Sequence, residues 1–169
     1  MKPPFIRRAG AAALAILLLT AGPAAPAPDA ADPPWEWPVA PAPPVLRGFD
    51  PPPEPWSSGH RGVDLAVPAG TTVLSPADGW ISFSGWVVDR RVITVDHGGG
   101  LRSSLLAVES ELQAGDAVSA GDPVGKAAES GHCQSACLHW GVRRGDTYIN
   151  PLQFVMDLRP SVLLPVPDG

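Results

Sequence analysis

The chain has 169 residues, including 22 prolines and 18 glycines, and its formal net charge is −5 at pH 7. This length accommodates one compact domain with tails, but it is too short for two full-sized cores. A hydrophobic content of 44% excludes an acidic disordered chain, and the negative charge excludes a general electrostatic binder of nucleic acid.

The first residues have the pattern of a secretory signal peptide. Lys2, Arg7 and Arg8 precede an apolar run over residues 9–22, and small residues and prolines follow it. That run is too short to cross a bilayer core, which takes about 20 residues. We therefore predict a signal peptide over residues 1–27 with cleavage between residues 24 and 31. The mature protein is expected outside the cytoplasm, with no stable membrane anchor.

Proline is concentrated in the first third of the chain, where residues 1–55 contain 15 of the 22 prolines. Proline at this density favours extended polyproline geometry and cannot supply the hydrogen bonds of a sheet. We predict a Pro/Ala-rich linker over residues 28–44, in which Trp35 and Trp37 can attach to the domain. Residues 158–169 are predicted as a C-terminal tail.

Residues 45–157 are predicted to form one all-β domain. β-rich runs alternate with Gly or Asp-Gly turns, and no helical periodicity of useful length follows Gly59. The predicted strands are residues 45–49, 63–67, 71–74, 80–84, 91–95 and 101–108. A repeated Ala-Gly-Asp at residues 114–116 and 120–122 predicts two tight turns. Core or groove-wall positions are predicted for Trp80, Phe83, Trp86 and Trp140.

Three side chains form a candidate zinc site. His60 and Asp64 lie four positions apart around Gly62, which we expect to relieve steric restriction at the bend between them. Imidazole nitrogen and carboxylate oxygen are common zinc donors. His139 is the third candidate, because a strand over residues 137–142 in the same sheet can bring it next to His60 and Asp64.

The two cysteines, Cys133 and Cys137, are open to three interpretations. In an exported protein an even cysteine count favours a disulfide, which here closes a small loop. Alternatively, a Cys137 thiolate is a fourth zinc ligand, which closes the coordination sphere and makes the site structural. A nucleophilic role is disfavoured, because no paired base is visible at a meaningful spacing.

Several motifs occur in register over residues 45–155. They are GHRGVDLAVPAGTTVLSPADGWISFSG, VITVDHGGGLRSS, AGDAVSAGDPVG, CLHWGV and NPL. Together they resemble a LytM/lysostaphin-type zinc metallopeptidase domain. The resemblance implies a twisted antiparallel β fold with an open groove and one zinc ion bound by His60, Asp64 and His139. It also implies peptidoglycan peptides as the substrate, and His97 matches a histidine that we interpret as structural.

Two positions depart from the pattern of this family. The resemblance implies a histidine where Cys137 stands and another where Ala107 stands, and the family uses both to orient water and stabilise the oxyanion. His132 lies beside Cys133, and we consider it either a solvent-exposed loop residue or, held by a Cys133–Cys137 bridge, a catalytic replacement for a missing helper.

Two functions therefore stay open. The first is a secreted zinc metalloendopeptidase that hydrolyses peptidoglycan, which the three intact ligands favour. The second is a weakly active or inactive module that keeps the zinc site, binds the cell wall and regulates a partner hydrolase, which Ala107 and Cys137 favour. Arg143 and Arg144 are expected to crown a hairpin or to contact carboxylates of an acidic wall peptide.

Overall fold

The computed structural model describes residues 35–54, 56–129 and 137–158. Within these ranges almost all regular structure is β, which confirms the predicted all-β fold. The strands are β1 (Val45–Arg47), β2 (Val63–Ala66), β3 (Thr72–Leu74), β4 (Gly79–Val87), β5 (Arg90–Asp96), β6 (Leu101–Leu106), β7 (Val108–Glu109), β8 (Ala117–Val118), β9 (Pro123–Ala127), β10 (Cys137–Arg144) and β11 (Thr147–Ile149). One turn of 3-10 helix, Pro151–Phe154, follows. Over the same ranges, no helix has the length and apolar character of a membrane span.

The strands form two antiparallel sheets. The main sheet has eight strands in the order β1-β2-β10-β6-β5-β4-β8, with β11 paired to β10. The smaller sheet has the order β3-β9-β7. Strand β10 pairs with β2 through residues 137–140, with β11 through residues 142–144, and with β6 through residues 139–144. Strand β10 is therefore the element that brings distant parts of the chain together.

Side-chain alternation gives β10 a core face and a polar face. Leu138, Trp140 and Val142 are completely buried in the core. His139 and Arg143 belong to the alternate positions and are only partly buried. Any site built on His139 therefore lies on the face of the main sheet that is opposite the core.

The core begins before the first strand. Trp35 is buried, and its ring stacks on Phe154 with the centroids 4.3 Å apart. Trp37 packs against the same core. The described part of the predicted linker, residues 35–44, is thus attached to the domain through its tryptophans. The predicted signal peptide and residues 159–169 lie outside the described residues and stay predictions.

Two tight turns occur where the Ala-Gly-Asp repeat predicts them. Gly115 and Gly121 have φ values of 102° and 80°, which glycine adopts without steric cost. The carboxylates of Asp116 and Asp122 accept hydrogen bonds from backbone N–H groups three residues earlier, both at 2.8 Å. The repeat therefore supplies both the conformational freedom and the hydrogen bonds that these turns need.

The predicted strand over residues 101–108 is wrong at its end. Ala107 has a φ of 64°, and the chain passes there from β6 of the main sheet to β7 of the smaller one. Its N–H donates to the Arg91 carbonyl at 2.8 Å, and its own carbonyl accepts from Ala128 N–H at 2.7 Å. These bonds, to Arg91 of β5 and to the residue that follows β9, hold the bend, which the β-rich sequence does not indicate.

The aromatic residues of β4 are not in the core. Trp80, Phe83 and Trp86 are 48%, 40% and 60% exposed, so the core interpretation is wrong for them, whereas it is confirmed for Trp140. Strand β4 lies near one edge of the main sheet, where the two-residue strand β8 is its outer neighbour. Because β8 pairs only with Gly79 and Trp80, the rest of β4 has no outer strand beside it among the described residues, which leaves its aromatic side chains exposed.

Candidate metal centre

His60, Asp64 and His139 converge on one point of the polar face. Asp64 Oδ1 lies 3.1 Å from His60 Nε2 and 2.7 Å from His139 Nδ1. The two imidazole nitrogens are 3.1 Å apart. All three ligand atoms lie within 4.8 Å of one another. The structure thus brings together the three side chains that the sequence singles out.

The β2–β10 pairing creates this convergence. Asp64 and His139 are direct cross-strand partners, so their side chains lie side by side on one face. His60 precedes β2 and is held by a bridge to Asp50, with backbone bonds of 2.6 and 3.0 Å. Strand register thus brings His139 next to His60, although 79 residues separate them in the chain.

The backbone carbonyl of Gly48 orients the His60 ring. His60 Nδ1 lies 2.6 Å from this carbonyl, which can only accept a hydrogen bond. The proton of a neutral His60 must therefore be on Nδ1, and the lone pair of Nε2 points toward Asp64. A second hydrogen bond of this kind is the usual way in which proteins fix the tautomer of a metal-binding histidine.

Gly62 allows the segment between His60 and β2 to approach β10 closely. A Cβ on Gly62 would lie 2.6 Å from His139 Nε2 and would also overlap the Trp140 carbonyl oxygen. We expected Gly62 to relieve a restricted backbone conformation, but its φ is not in the left-handed region. The glycine is required for space instead, because any side chain would displace the His139 ring.

The donor set fits zinc. Two imidazole nitrogens and one carboxylate oxygen are a frequent set of three protein ligands, which leaves one position open. The lone pair of His60 Nε2 faces the lone pairs of Asp64 Oδ1 at 3.1 Å, a contact that repels when His60 is neutral. A cation shared by both atoms replaces this repulsion with attraction. Among the described residues, the group of converging ligand atoms does not include Cys137.

The other predicted site residues lie apart from this group or outside the described residues. Cys137 is buried at the start of β10. His132 and Cys133 are outside the described residues, so the helper role and the disulfide stay predictions. Ala107 follows Leu106, the β6 residue that pairs with His139, and lines a cavity of roughly 430 Å³.

His97 is not part of the group of converging ligand atoms, and its partly buried ring packs against Trp35 with the centroids 4.4 Å apart, which agrees with its interpretation as structural. Its Nδ1 donates to the Asp78 carbonyl at 2.8 Å, and its Nε2 lies 2.7 Å from Ser103 Oγ. Burial lowers the pKa of His97 below its ordinary value, although hydrogen bonding to Asp78 and the charge of Asp96 oppose that effect. The net effect of burial is to favour the neutral form of His97.

Sequence reasoning missed one contributor to the site and one ion pair elsewhere on the same sheet. The Gly48 carbonyl carries no sequence signal, because every residue has one. The row formed by Asp96 and Arg102 on the same sheet, with Nε 2.7 Å from Oδ2, depends on strand register. Burial by itself would raise the pKa of Asp96, but the hydrogen bonds from Arg102 and Gly98 and the charge of Arg102 outweigh it and lower that pKa.

The comparisons with known proteins agree with this architecture. An uncharacterised protein of Mycobacterium tuberculosis is 41% identical over 123 residues, which are 69% of this chain and 49% of that protein. The DD-carboxypeptidase/endopeptidase Mpg of Neisseria meningitidis is 29% identical over 110 residues, 64% of this chain and 24% of Mpg. The chain therefore spans about half the length of the mycobacterial relative and about a quarter of Mpg.

The fold is that of a known catalytic domain. The catalytic domain of lysostaphin from Staphylococcus simulans superposes with a TM-score of 0.58 at 24% identity, over 66% of this chain and 91% of that domain. The model of peptidase family M23 matches residues 58–151, more than half of the chain. This match confirms the predicted resemblance to LytM/lysostaphin-type peptidases. The protein therefore belongs to peptidase family M23.

Proposed function

We propose that this protein is a zinc-dependent endopeptidase that cleaves peptidoglycan peptides outside the cytoplasm. The observation that carries the proposal is the convergence of His60, Asp64 and His139 within 4.8 Å. Membership of family M23 and the similarity to an endopeptidase of Neisseria meningitidis support the substrate class. The apolar run at residues 9–22 supports export through a cleaved signal peptide.

Different residues would bind the zinc ion, orient its ligands and support the strand that carries them. His60, Asp64 and His139 would hold the zinc ion, and the Gly48 carbonyl would keep Nε2 of His60 unprotonated for this purpose. A bound zinc ion supplies Lewis acidity, which activates water and polarises a peptide carbonyl. The completely buried side chains on the other face of β10 hold His139 in place, since a packed core resists displacement.

The same proposal includes a role for the two cysteines and for His132. We propose a disulfide between Cys133 and Cys137 that holds His132 over the zinc ion as a catalytic helper. Titration of free thiols in the native protein tests the bridge, and two reactive thiols would exclude it. An unchanged hydrolysis rate in His132→Ala would exclude the helper role.

A non-hydrolytic wall-binding or regulatory module is the second candidate, and Ala107 favours it. The alanine stands where the family resemblance implies an imidazole, next to the residue that pairs with His139. Loss of one transition-state hydrogen-bond donor typically costs about 3–4 kcal/mol of barrier, so such a domain would bind zinc and cleave slowly. In that role it would act on a partner hydrolase.

Metal content and wall hydrolysis together test the proposal. We expect elemental analysis to find one zinc ion per chain and zymography on purified peptidoglycan to show clearing that a chelator abolishes and zinc restores. His60→Ala should lose both the metal and the clearing. Bound zinc without clearing at any zinc concentration would favour the binding module, and a protein that retains no zinc would contradict both candidates.

A further inference from the structure

Four residues form a row of direct cross-strand partners on the main sheet. Asp96 of β5 pairs with Arg102 of β6, Arg102 pairs with Arg143 of β10, and Arg143 pairs with Tyr148 of β11. Arg143 is four residues beyond His139 on the same strand, so the row and the metal centre share one face.

The row carries one more positive than negative charge. Arg102 Nε lies 2.7 Å from Asp96 Oδ2, and this ion pair accounts for one arginine. Arg143 forms no ion pair with any residue in the described ranges. Like charges that are directly opposite on neighbouring strands destabilise a sheet. Arg143 therefore lies opposite an arginine that already has its carboxylate, and no second carboxylate of the described residues balances the charge of Arg143.

A polar cavity of roughly 400 Å³ lies at this row. Its lining includes Arg102, Arg143, Tyr148, Ser104, Thr94 and Phe83. Gly141 also lines it, and a Cβ on Gly141 would lie only 3.7 Å from His139 Nε2. Gly141 thus lies between the cavity and His139.

We propose that Arg143, assisted by Arg102, binds a carboxylate of the acidic peptide substrate and determines specificity for it. This inference rests on the proposed function, because the ligand is defined as a peptide that reaches the metal centre. A guanidinium binds a carboxylate through two parallel hydrogen bonds, a geometry that lysine does not offer. The Tyr148 hydroxyl at the end of the row can donate a further hydrogen bond.

The strand sets the distance between the carboxylate and the bond that is cleaved. Four residues along a strand span about 13 Å between His139 and Arg143. An extended peptide covers about 3.3–3.6 Å per residue. The carboxylate that Arg143 binds therefore lies about four residues of extended peptide away from the reacting carbonyl.

Binding of matched peptides tests this inference. Soluble peptidoglycan stem peptides would be prepared with free carboxylates and, as matched ligands, with those carboxylates amidated. Isothermal titration calorimetry would measure the affinity of both peptides for three zinc-loaded proteins: the native protein, Arg143→Gln and Arg144→Gln. Arg144→Gln is the matched control, because it removes an arginine from the opposite face of the same strand. We expect the native protein to prefer the free acid about tenfold, which corresponds to one charged hydrogen bond. Arg143→Gln should lose this preference and Arg144→Gln should keep it.

The possible results separate this inference from the proposed function. Equal affinity of the native protein for both peptides, an undiminished preference in Arg143→Gln, or an equal loss in Arg144→Gln would overturn the inference. Peptidoglycan clearing together with any of these results would leave the proposed enzyme intact. An Arg143-dependent preference in a protein that clears no peptidoglycan would instead keep the binding role of Arg143 and reject the enzyme.

Discussion

Gly62 and His139 are in such close contact that a Cβ on Gly62 would lie 2.6 Å from Nε2 of the imidazole. Real Cβ atoms essentially never approach another heavy atom this closely. The position of His139 therefore depends on the absence of a side chain from a residue on a different segment of the chain. The metal centre is built from this contact as much as from the three residues that hold ligand atoms.

Gly62→Ala should weaken zinc binding. The added methyl group displaces the His139 ring, and changes next to metal ligands typically cost about 10- to 100-fold in metal affinity. Competition with a chromophoric chelator measures the effect. Gly48→Ala is the matched control, because its Cβ meets no atom within 4 Å and its carbonyl remains available to His60. Native zinc affinity in Gly62→Ala would contradict the role of this contact.

Ala107→His should raise the rate of peptidoglycan hydrolysis. Histidine tolerates the left-handed backbone better than most residues, and the neighbouring cavity of roughly 430 Å³ has room for the ring. A positioned acid–base group contributes about 10²-fold or more to a rate. Ala107→Asn controls for the backbone, because asparagine also adopts this conformation but cannot transfer protons. Equal rates in both variants would show that an imidazole at this position does not take part.

Arg143→Gln and Arg102→Gln should change stability in opposite directions. Replacing Arg143 removes the repulsion across β6 and β10, so the free energy of unfolding should stay equal or rise by up to about 1 kcal/mol. Replacing Arg102 leaves the largely buried Asp96 carboxylate without its partner, which should cost about 1 kcal/mol after allowance for the exposure of Arg102. Urea unfolding at pH 7 measures both. A similar loss in the two variants would show that Arg143 stabilises the sheet instead of straining it.

The free energy of unfolding should fall on acidification, and protonation of His97 should cause the loss that begins below about pH 6.5. Burial lowers the pKa of His97, so the unfolded chain binds a proton below about pH 6.5 while the folded protein still resists it. Each such proton reduces the free energy of unfolding by at most about 1.4 kcal/mol per pH unit. The lowered pKa of Asp96 adds a loss in the same direction below about pH 4.

His97→Gln isolates this effect. Chemical unfolding at several pH values between 7 and 5 should give a shallower dependence in the variant than in the native protein. The histidines of the metal centre are present in both proteins, so their contribution cancels in the difference. Identical slopes would show that His97 binds a proton equally well in the folded and unfolded states.

Local sequence patterns determined the class of the fold. The sequence predicts a strand at residues 137–142 and a core or groove-wall position for Trp140, and the structure has β10 there with Trp140 in the core. The Ala-Gly-Asp repeat predicts its turns for the same reason, since glycine conformation and aspartate hydrogen bonds act within a few residues. His60 and Asp64 are also a local pair, four residues apart, and could be singled out from their spacing.

The tertiary structure alone decided the features that depend on register. Three features depend on contacts between separate segments of the chain. They are the opposition of Arg102 and Arg143, the bond from His60 to the Gly48 carbonyl and the bend at Ala107. A shift of one residue in β10 would turn His139 into the core and Trp140 toward the polar face. Sequence by itself singled out the three candidate metal ligands. Burial of β10 fixed the register that brings them together, because only one alternation hides the apolar side chains of this strand from water.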